Sequence, residues 1–500
     1  MNTDVRLNKV MSIKDYFMLG FGSMVGVGWC VAINDWISAG GGVLITVSTF
    51  LIVTVMIIPI GLCYAEMCPA FPVAGGVFAY SYKAFGRKIA FITGWLALLA
   101  YVNVMPWESI YINDVFCYLF PSLKAGSPLY VLGNSPVYTK SLVLGILVSL
   151  VMIFINWRGT KFASTVQNAC CYLMIGGAVI VVVFAFAKCD FSNLFPLHRR
   201  LSDNTGAGIG ACIIAVASMA PFHFSGFDTI CQSAEESEMD IDYKKMGKVI
   251  FIGIVATGIY YSLMLMSAGV AYPADMFVTL KRPSICYMFL LLYPGMTGRI
   301  LYFITLITAL AGLFSTWNGF YMAGARLCLG MGRAGFLPGR VKILHEKNRT
   351  PVAGNVVCGI ACIAGPFIGI GYILPLSIIG SFAFVACWFF TALSCWKLRV
   401  ADPDLNRPFR MPGGTIIMKI ACLSSALMAL ICVLPNSPGF MGMTAVYYLA
   451  VWLIIGLIIY ISMQRKKTDL TEGSQIENIF RILSDIDIDV ISEYSNTEKK

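Results

Sequence analysis

Runs of apolar residues, each about 20 long, alternate with short polar connectors along most of the chain. As a helix, each run is long enough to cross a bilayer core about 30 Å thick. The spacing predicts helices over 16–40, 43–65, 89–117, 140–156, 163–187, 207–235, 248–271, 298–327, 352–373, 376–396, 414–435 and 441–463. The expected fold class is therefore an all-α integral membrane protein with about twelve transmembrane helices. Polar segments flank them at 1–15 and 464–500.

Two of these windows read as broken helices. Span one contains Phe21-Gly22-Ser23-Met24-Val25-Gly26-Val27-Gly28-Trp29, and span six contains Ala220-Pro221-Phe222-His223-Phe224-Ser225-Gly226-Phe227-Asp228. Glycine weakens a helix and exposes its backbone, and proline removes a donor. Within hydrocarbon, irregular backbone persists only where it is buried in protein or lines a cavity. Each broken span opens a run of five spans, 16–187 and 207–396. An odd number of crossings turns the second unit over, which is the inverted-repeat plan of secondary transporters. The helices of 414–463 then lie at the periphery.

Composition agrees with a membrane protein. Of 500 residues, 58% are hydrophobic and 12% charged, against roughly 25% charged in a soluble domain. No cleavable signal peptide is evident, because the first apolar run is long and lacks a small-residue cleavage site. The net charge of +10 does not point to nucleic acid. With the N-terminus inside, all but eight of the 36 Lys and Arg residues fall on the inner side. The eight are Lys124, Lys140, Lys188, Arg199, Arg200, Lys281, Arg282 and Arg299. That bias predicts both termini in the cytoplasm. The 17 cysteines form no CxxC pair and read as small buried hydrophobes. Three scattered histidines suggest no metal site, and no Walker A sequence or cofactor motif is present. In the tail, Ile476, Ile479, Phe480 and Leu483 have helical spacing, which suits either a short amphipathic helix or a disordered segment.

Further motifs fall in a recognisable order. Span two ends in Tyr64-Ala65-Glu66, followed by Pro69, Ala74-Gly75-Gly76, Tyr80, Gly86 and Gly94-Trp95. Asn156-Trp157-Arg158-Gly159-Thr160-Lys161, with Ser164 and Gln167, leads into span five. Phe224-Ser225-Gly226-Phe227-Asp228 precedes Ala234-Glu235-Glu236. Span eight carries Asn318-Gly319 and Ala325-Arg326, then Gly332-Arg333-Ala334-Gly335-Phe336-Leu337-Pro338 and Pro351. Together with the glycines of span one, these make the chain resemble the amino acid–polyamine–organocation superfamily, as an amino acid permease. The resemblance implies a LeuT-like fold of two inverted five-helix repeats plus two peripheral helices. It also implies a small amino acid or amine substrate held where spans one and six are broken.

Candidate site residues follow from both readings. An unwound stretch frees N–H groups and a half-helix N-terminus favours an anion, so Val25, Gly26, Val27 and Gly28 are candidates for a substrate carboxylate. Close packing through small residues is the alternative. Freed carbonyls in span six can accept from an ammonium. The resemblance makes Phe222, His223, Phe224, Ser225 and Gly226 substrate contacts, with Phe222 closing over the ligand. Glu108 is a carboxylate inside span three and a functional candidate by default, for a cationic group or a proton. A position near the outer, watered end is the alternative. Asn103 lies on the same helix. His223 could accept a coupling proton or be a neutral ring bonded to a freed carbonyl.

The resemblance suggests Phe320 on the substrate side, with a core phenylalanine as the alternative. Ser315 and Thr316 could place hydroxyls near span one, and the resemblance makes them candidates for an ion site, since in sodium-coupled relatives hydroxyls of span eight bind sodium with carbonyls of span one. The region Ala169-Cys170-Cys171-Tyr172-Leu173-Met174 lacks the lysine that some sodium-independent members carry in span five. Asp35 reads as a solvated helix end or vestibule residue. Asp228, Glu235 and Glu236 read as either a gate or structural ion pairs. No catalytic constellation is present, so the expectation is a plasma-membrane carrier rather than an enzyme. Its coupling ion would be H+ or Na+ and its state monomeric or homodimeric. A polyamine or organic-amine carrier, or an amino-acid sensor without transport, are the alternatives.

Overall fold

The computed structural model describes residues 6–133, 135–199, 201, 208–435, 437 and 440–465. The tail helix suggested around Ile476 lies outside the described residues. Every predicted window holds a helix. Span one is Ile13–Met24, Gly28–Val31 and Ile33–Gly40, and span two is Val43–Ala70. Spans three to five are Arg87–Leu119, Thr139–Trp157 and Thr160–Phe186. Span six is Ile209–Phe224 and Thr229–Gln232, and span seven is Tyr243–Ala271. Spans eight to twelve are Met296–Arg333, Val352–Ile368, Ile373–Ala401, Gly414–Val433 and Gly442–Arg465. Among the described residues, ten helices are long and apolar enough to cross a membrane alone. Span one is an eleventh crossing, bent by 74°. Span nine is apolar but short, with 17 residues. The molecule is thus an all-α multi-pass membrane protein.

Its outer surface is apolar as well as its core. Leu147, Leu150 and Phe154 of span four and Leu423 of span eleven are exposed. A helix apolar all round fits a chain solvated by lipid rather than water.

Several boundaries differ from the sequence reading for local reasons. Span eight is predicted to end at 327, before the glycines at 330, 332 and 335 that read as helix breakers, yet it continues to Arg333. Gly330 permits this: a Cβ there would stand 2.5 Å from the Ala74 carbonyl oxygen, so the helix presses directly on the connector after span two. Span nine stops at Ile368 rather than 373, because Gly369 takes φ +73 and turns the chain. Besides the helix Val77–Phe85 between spans two and three, two further connectors hold structure that no periodicity announced. One is a hairpin of Tyr130–Leu132 with Ser135–Val137. The other is a pair of short helices, Ala274–Thr279 and Ser284–Leu292.

Span one starts on a capping box. The Ser12 hydroxyl accepts from the Asp15 N–H, and the Asp15 carboxylate accepts from the Ser12 N–H at 2.9 Å. The strand before it pairs with the chain leaving span six: the Val10 and Met11 N–H groups both donate to the Glu236 carbonyl at 2.9 Å.

On this side of the molecule, buried carboxylates meet arginines. Glu236 accepts from Arg326 at 2.8 and 3.0 Å and from the Thr160 hydroxyl at 2.5 Å. Glu235 accepts from Arg333 at 2.7 and 2.8 Å and from the Ala74 N–H at 3.2 Å. Glu66, at the end of span two, pairs with Arg399 and with Arg407, the latter at 3.3 Å. A charge buried this deeply is tolerated only when paired and hydrogen-bonded. On the opposite side Asp35 is half-exposed and pairs with Arg282 at 2.5 Å.

Removing one member of the Glu236–Arg326 pair leaves a buried charge alone, which costs about 3–5 kcal/mol. Glu236→Gln should therefore lower the unfolding temperature in detergent by several degrees. Adding Arg326→Met to it should recover part of the loss. Unchanged stability of the single variant would show that the pair holds nothing together.

Candidate functional site

The two broken spans touch at their breaks. In span one, helical bonding stops where the Val25 N–H reaches the Phe21 carbonyl, and it resumes where the Val27 carbonyl accepts from Cys30. Among the described residues, the N–H groups of Gly26, Val27, Gly28 and Trp29 have no backbone acceptor. In span six, the Ser225 N–H still reaches the Pro221 carbonyl. The Gly226 N–H turns instead to the Asp228 carboxylate at 3.2 Å. The His223, Phe224 and Ser225 carbonyls receive no backbone donor among the described residues. Gly226 takes φ +127, and a Cβ there would lie 2.7 Å from the Ser23 carbonyl carbon. That glycine is what lets the breaks meet.

Side chains from three other helices satisfy the carbonyls that span one frees or exposes. The Tyr261 hydroxyl of span seven donates to the Met24 carbonyl at 2.9 Å. The Thr316 hydroxyl of span eight donates to the Gly22 carbonyl at 3.1 Å. The Gln167 amide of span five donates to the Met18 carbonyl at 3.2 Å and to the Ser315 hydroxyl at 2.8 Å. Gln167 is itself held by Asn318, whose amide donates to its oxygen at 2.9 Å, and Asn156 donates to Asn318 at 3.0 Å. The broken segment is thus fixed in place by buried polar groups, each with a partner.

Between the breaks lies a small cavity. Gly26, Val27, Gly28, Glu108, Phe222, His223, Ser225, Thr316 and Phe320 all line it, as the sequence reading expects of substrate contacts or coupling groups. Glu108 is 1% exposed, and its Oε2 has no hydrogen-bond partner. Its other oxygen would stand 3.7 Å from a Cβ on Gly26. The carboxylate therefore points at the unwound turn of span one, not at an outer watered end. Among the described residues, no lysine or arginine lines the cavity.

The aromatic walls are continuous. The Trp107 and Phe222 ring centroids are 5.3 Å apart, and His223 sits edge-on to Trp36 at 4.6 Å. A Cβ on Gly28 would lie 2.8 Å from His223 Nδ1, so this ring covers the start of the short helix Gly28–Val31.

Five expected residues lie off the cavity wall. Val25 is fully buried behind it. Phe224 packs against Phe50 and Tyr261. Gly226 supports the contact between the breaks, and Asn103 donates to the Leu376 carbonyl at 2.5 Å behind Phe222. Ser315 faces Gln167 and Cys171. Five lining residues escaped the sequence reading: Ser23, Met24, Val104, Trp107 and Tyr261. Val104 lies four residues before Glu108 and so shares its helix face, a signal that was available. Nothing in the periodicity of span seven marks Tyr261. Among the described residues Asp228 meets no basic residue; its Oδ2 accepts from the Tyr101 hydroxyl of span three at 2.5 Å.

A family model described as amino acid permease matches residues 11–460. A branched-chain amino acid permease of Bacillus subtilis is 24% identical over 472 residues, covering 93% of this chain and 95% of the relative. A methylthioribose transporter of the same organism is 24% identical over 481 residues, with the same two coverages. An aspartate–proton symporter, also of Bacillus subtilis, is 23% identical over 440 residues, covering 85% of this chain and 80% of the relative.

The contact between the breaks gives a stringent test. Gly226→Ala places a side chain where φ is +127 and span one's backbone is in the way, a strain of about 1–3 kcal/mol before any clash is counted. It should abolish ligand-induced thermal stabilisation. Gly176→Ala in span five has nothing within 4 Å of the new Cβ and should behave as the parent. Equal ligand response in both variants would contradict this account of the breaks.

Proposed function

The chain belongs to the amino acid permease family, and on that premise we propose that it carries a small, uncharged amino acid across the plasma membrane by alternating access. The observation behind this is that Gly26–Gly28, whose N–H groups have no backbone acceptor, and His223 and Ser225, whose carbonyls have no backbone donor among the described residues, line one cavity. The first set suits a carboxylate and the second an ammonium. Phe222, Trp107 and Phe320 would surround the substrate side chain. A cavity without lysine or arginine has nothing to balance a second carboxylate. The residues that bind would lie between two inverted units, 16–187 and 207–396, with 414–463 outside them. The lysine and arginine bias favours both termini in the cytoplasm.

Glu108 bears on coupling. Its carboxylate and a substrate carboxylate at Gly26–Gly28 would share a buried space with no cation between them. Two like charges so placed do not both stay ionised. Glu108, buried without a partner, therefore carries a proton while it shares the closed cavity with substrate; loading that proton from outside and releasing it inside with the substrate makes the carrier a proton symporter. The sodium alternative has less support, because Ser315 and the Met18 carbonyl already face the Gln167 amide. His223 has aromatic neighbours, Trp36, Phe222 and Tyr261, and is the weaker candidate for the proton. One second reading rests on the same unpartnered carboxylate: an ammonium on a cationic substrate or polyamine could pair with Glu108 directly.

Uptake of a radiolabelled amino-acid panel into proteoliposomes tests this, with imposed proton or sodium gradients and with internal substrate. Accumulation driven by an inward proton gradient is expected. Glu108→Gln should lose that accumulation while retaining counterflow exchange. Retained gradient-driven accumulation in Glu108→Gln would remove Glu108 from coupling. Selective loss of cationic substrates would favour the amine carrier. Binding without flux under every condition would leave a sensor.

A further inference from the structure

Phe222 is wedged from behind by span ten. A Cβ on Gly380 would stand 2.7 Å from Phe222 Cε2 and 3.1 Å from Cδ2, so the ring rests directly on the glycine. Two further contacts tie this stretch of span ten to span three, on the same wall. The Asn103 amide donates to the Leu376 carbonyl at 2.5 Å, and Trp107 Nε1 donates to the Ser377 hydroxyl at 2.6 Å. Trp107 is thereby pinned, and its ring lies 5.3 Å from that of Phe222. Phe222 is held between a fixed indole and a bare stretch of helix, with the cavity as the empty space beside it. Span ten itself does not line that cavity.

We propose that Gly380 sets the size limit for the substrate side chain, acting through Phe222. This is a positioning role, and it rests on the reading that an amino acid occupies the cavity. Any side chain at 380 meets the ring well inside van der Waals contact. The ring cannot move toward the pinned Trp107, so it moves into the cavity. Large substrate side chains then lose space that small ones never use, and selectivity shifts without any residue touching the ligand being replaced.

The test compares Gly380→Ala with the parent for glycine, alanine, leucine and methionine, by ligand-induced thermal stabilisation in detergent and by KM for uptake. Affinity for leucine and methionine should fall tenfold or more relative to alanine. Gly380→Ala/Phe222→Leu should bring the ratio back. Gly380→Ala/Asn103→Ala should not, although Asn103 is the other group a Cβ at 380 would approach, at 2.9 Å. An unchanged ratio in folded Gly380→Ala overturns the proposal, as does rescue by Asn103→Ala instead of Phe222→Leu. Should Gly380→Ala fail to fold, the Phe222→Leu double variant should fold and show the parent's ratio; failure of both to fold also overturns it. If the parent binds the panel but transports nothing, the transport reading fails while the binding ratios still decide the role of Gly380.

Discussion

A peptide group inside a bilayer must find a partner within the protein, and this structure leaves two short stretches of backbone outside that rule. Everything around Gly26–Gly28 and His223–Ser225 reads as a response to it. Met18, Gly22 and Met24 offer carbonyls at or near the first break. Each is answered by a side chain from a different helix, Gln167, Thr316 or Tyr261. Gly26, Val27 and Gly28, whose N–H groups find no backbone acceptor, and His223 and Ser225, whose carbonyls find no backbone donor among the described residues, all line the cavity. A zwitterion is the ligand that would complete both sets, since its charged ends match the two kinds of orphan group.

The distribution of charge separates scaffold from site. Glu66, Glu235 and Glu236 are buried, and each meets an arginine and at least one further donor. They clamp helix ends that would otherwise leave polar groups in an apolar interior. Glu108 is equally buried but has no such partner, and it faces the one place where a ligand's charge would sit. The contrast between the acids is more informative than any one of them. Glu66, Glu235 and Glu236 are neutralised by arginines and Asp228 is held by the Tyr101 hydroxyl and the Gly226 N–H, whereas Glu108 is available to a proton or a ligand.

Legibility from sequence followed the physics of each feature. The twelve helices were readable because lipid demands long apolar runs, and the breaks because glycine and proline are conspicuous inside them. Gly330 misled for the same reason: it reads as a helix breaker, but here it allows a continuous helix to lie against the Ala74 carbonyl. The cavity's near wall was readable on spans one and six, where residues adjacent in sequence are adjacent in space. Tyr261 and Trp107 were not, because their roles depend on which helices pack together. Gly380 escaped for the deepest reason. Its effect is to leave a space, and one sequence cannot show which of 47 glycines leaves a space that matters.

The pieces beyond each break are short. Gly28–Val31 and Thr229–Gln232 have four residues each, too few to form alone in water or lipid. They persist through what they touch: His223 over Gly28, Tyr101 on Asp228, and the Ser23 hydroxyl facing that of Thr229 at 3.3 Å. A ligand bridging the two breaks would add to those contacts at the point where the helices are weakest. In the proposed cycle, substrate is then part of what holds the half-helices together. Such a cycle would couple occupancy to movement of spans one and six without a separate sensing element. It also explains why the breaks are buffered so densely by hydroxyls and amides. These partners keep the unwound backbone in one arrangement while the cavity is empty, so that binding meets a site already formed.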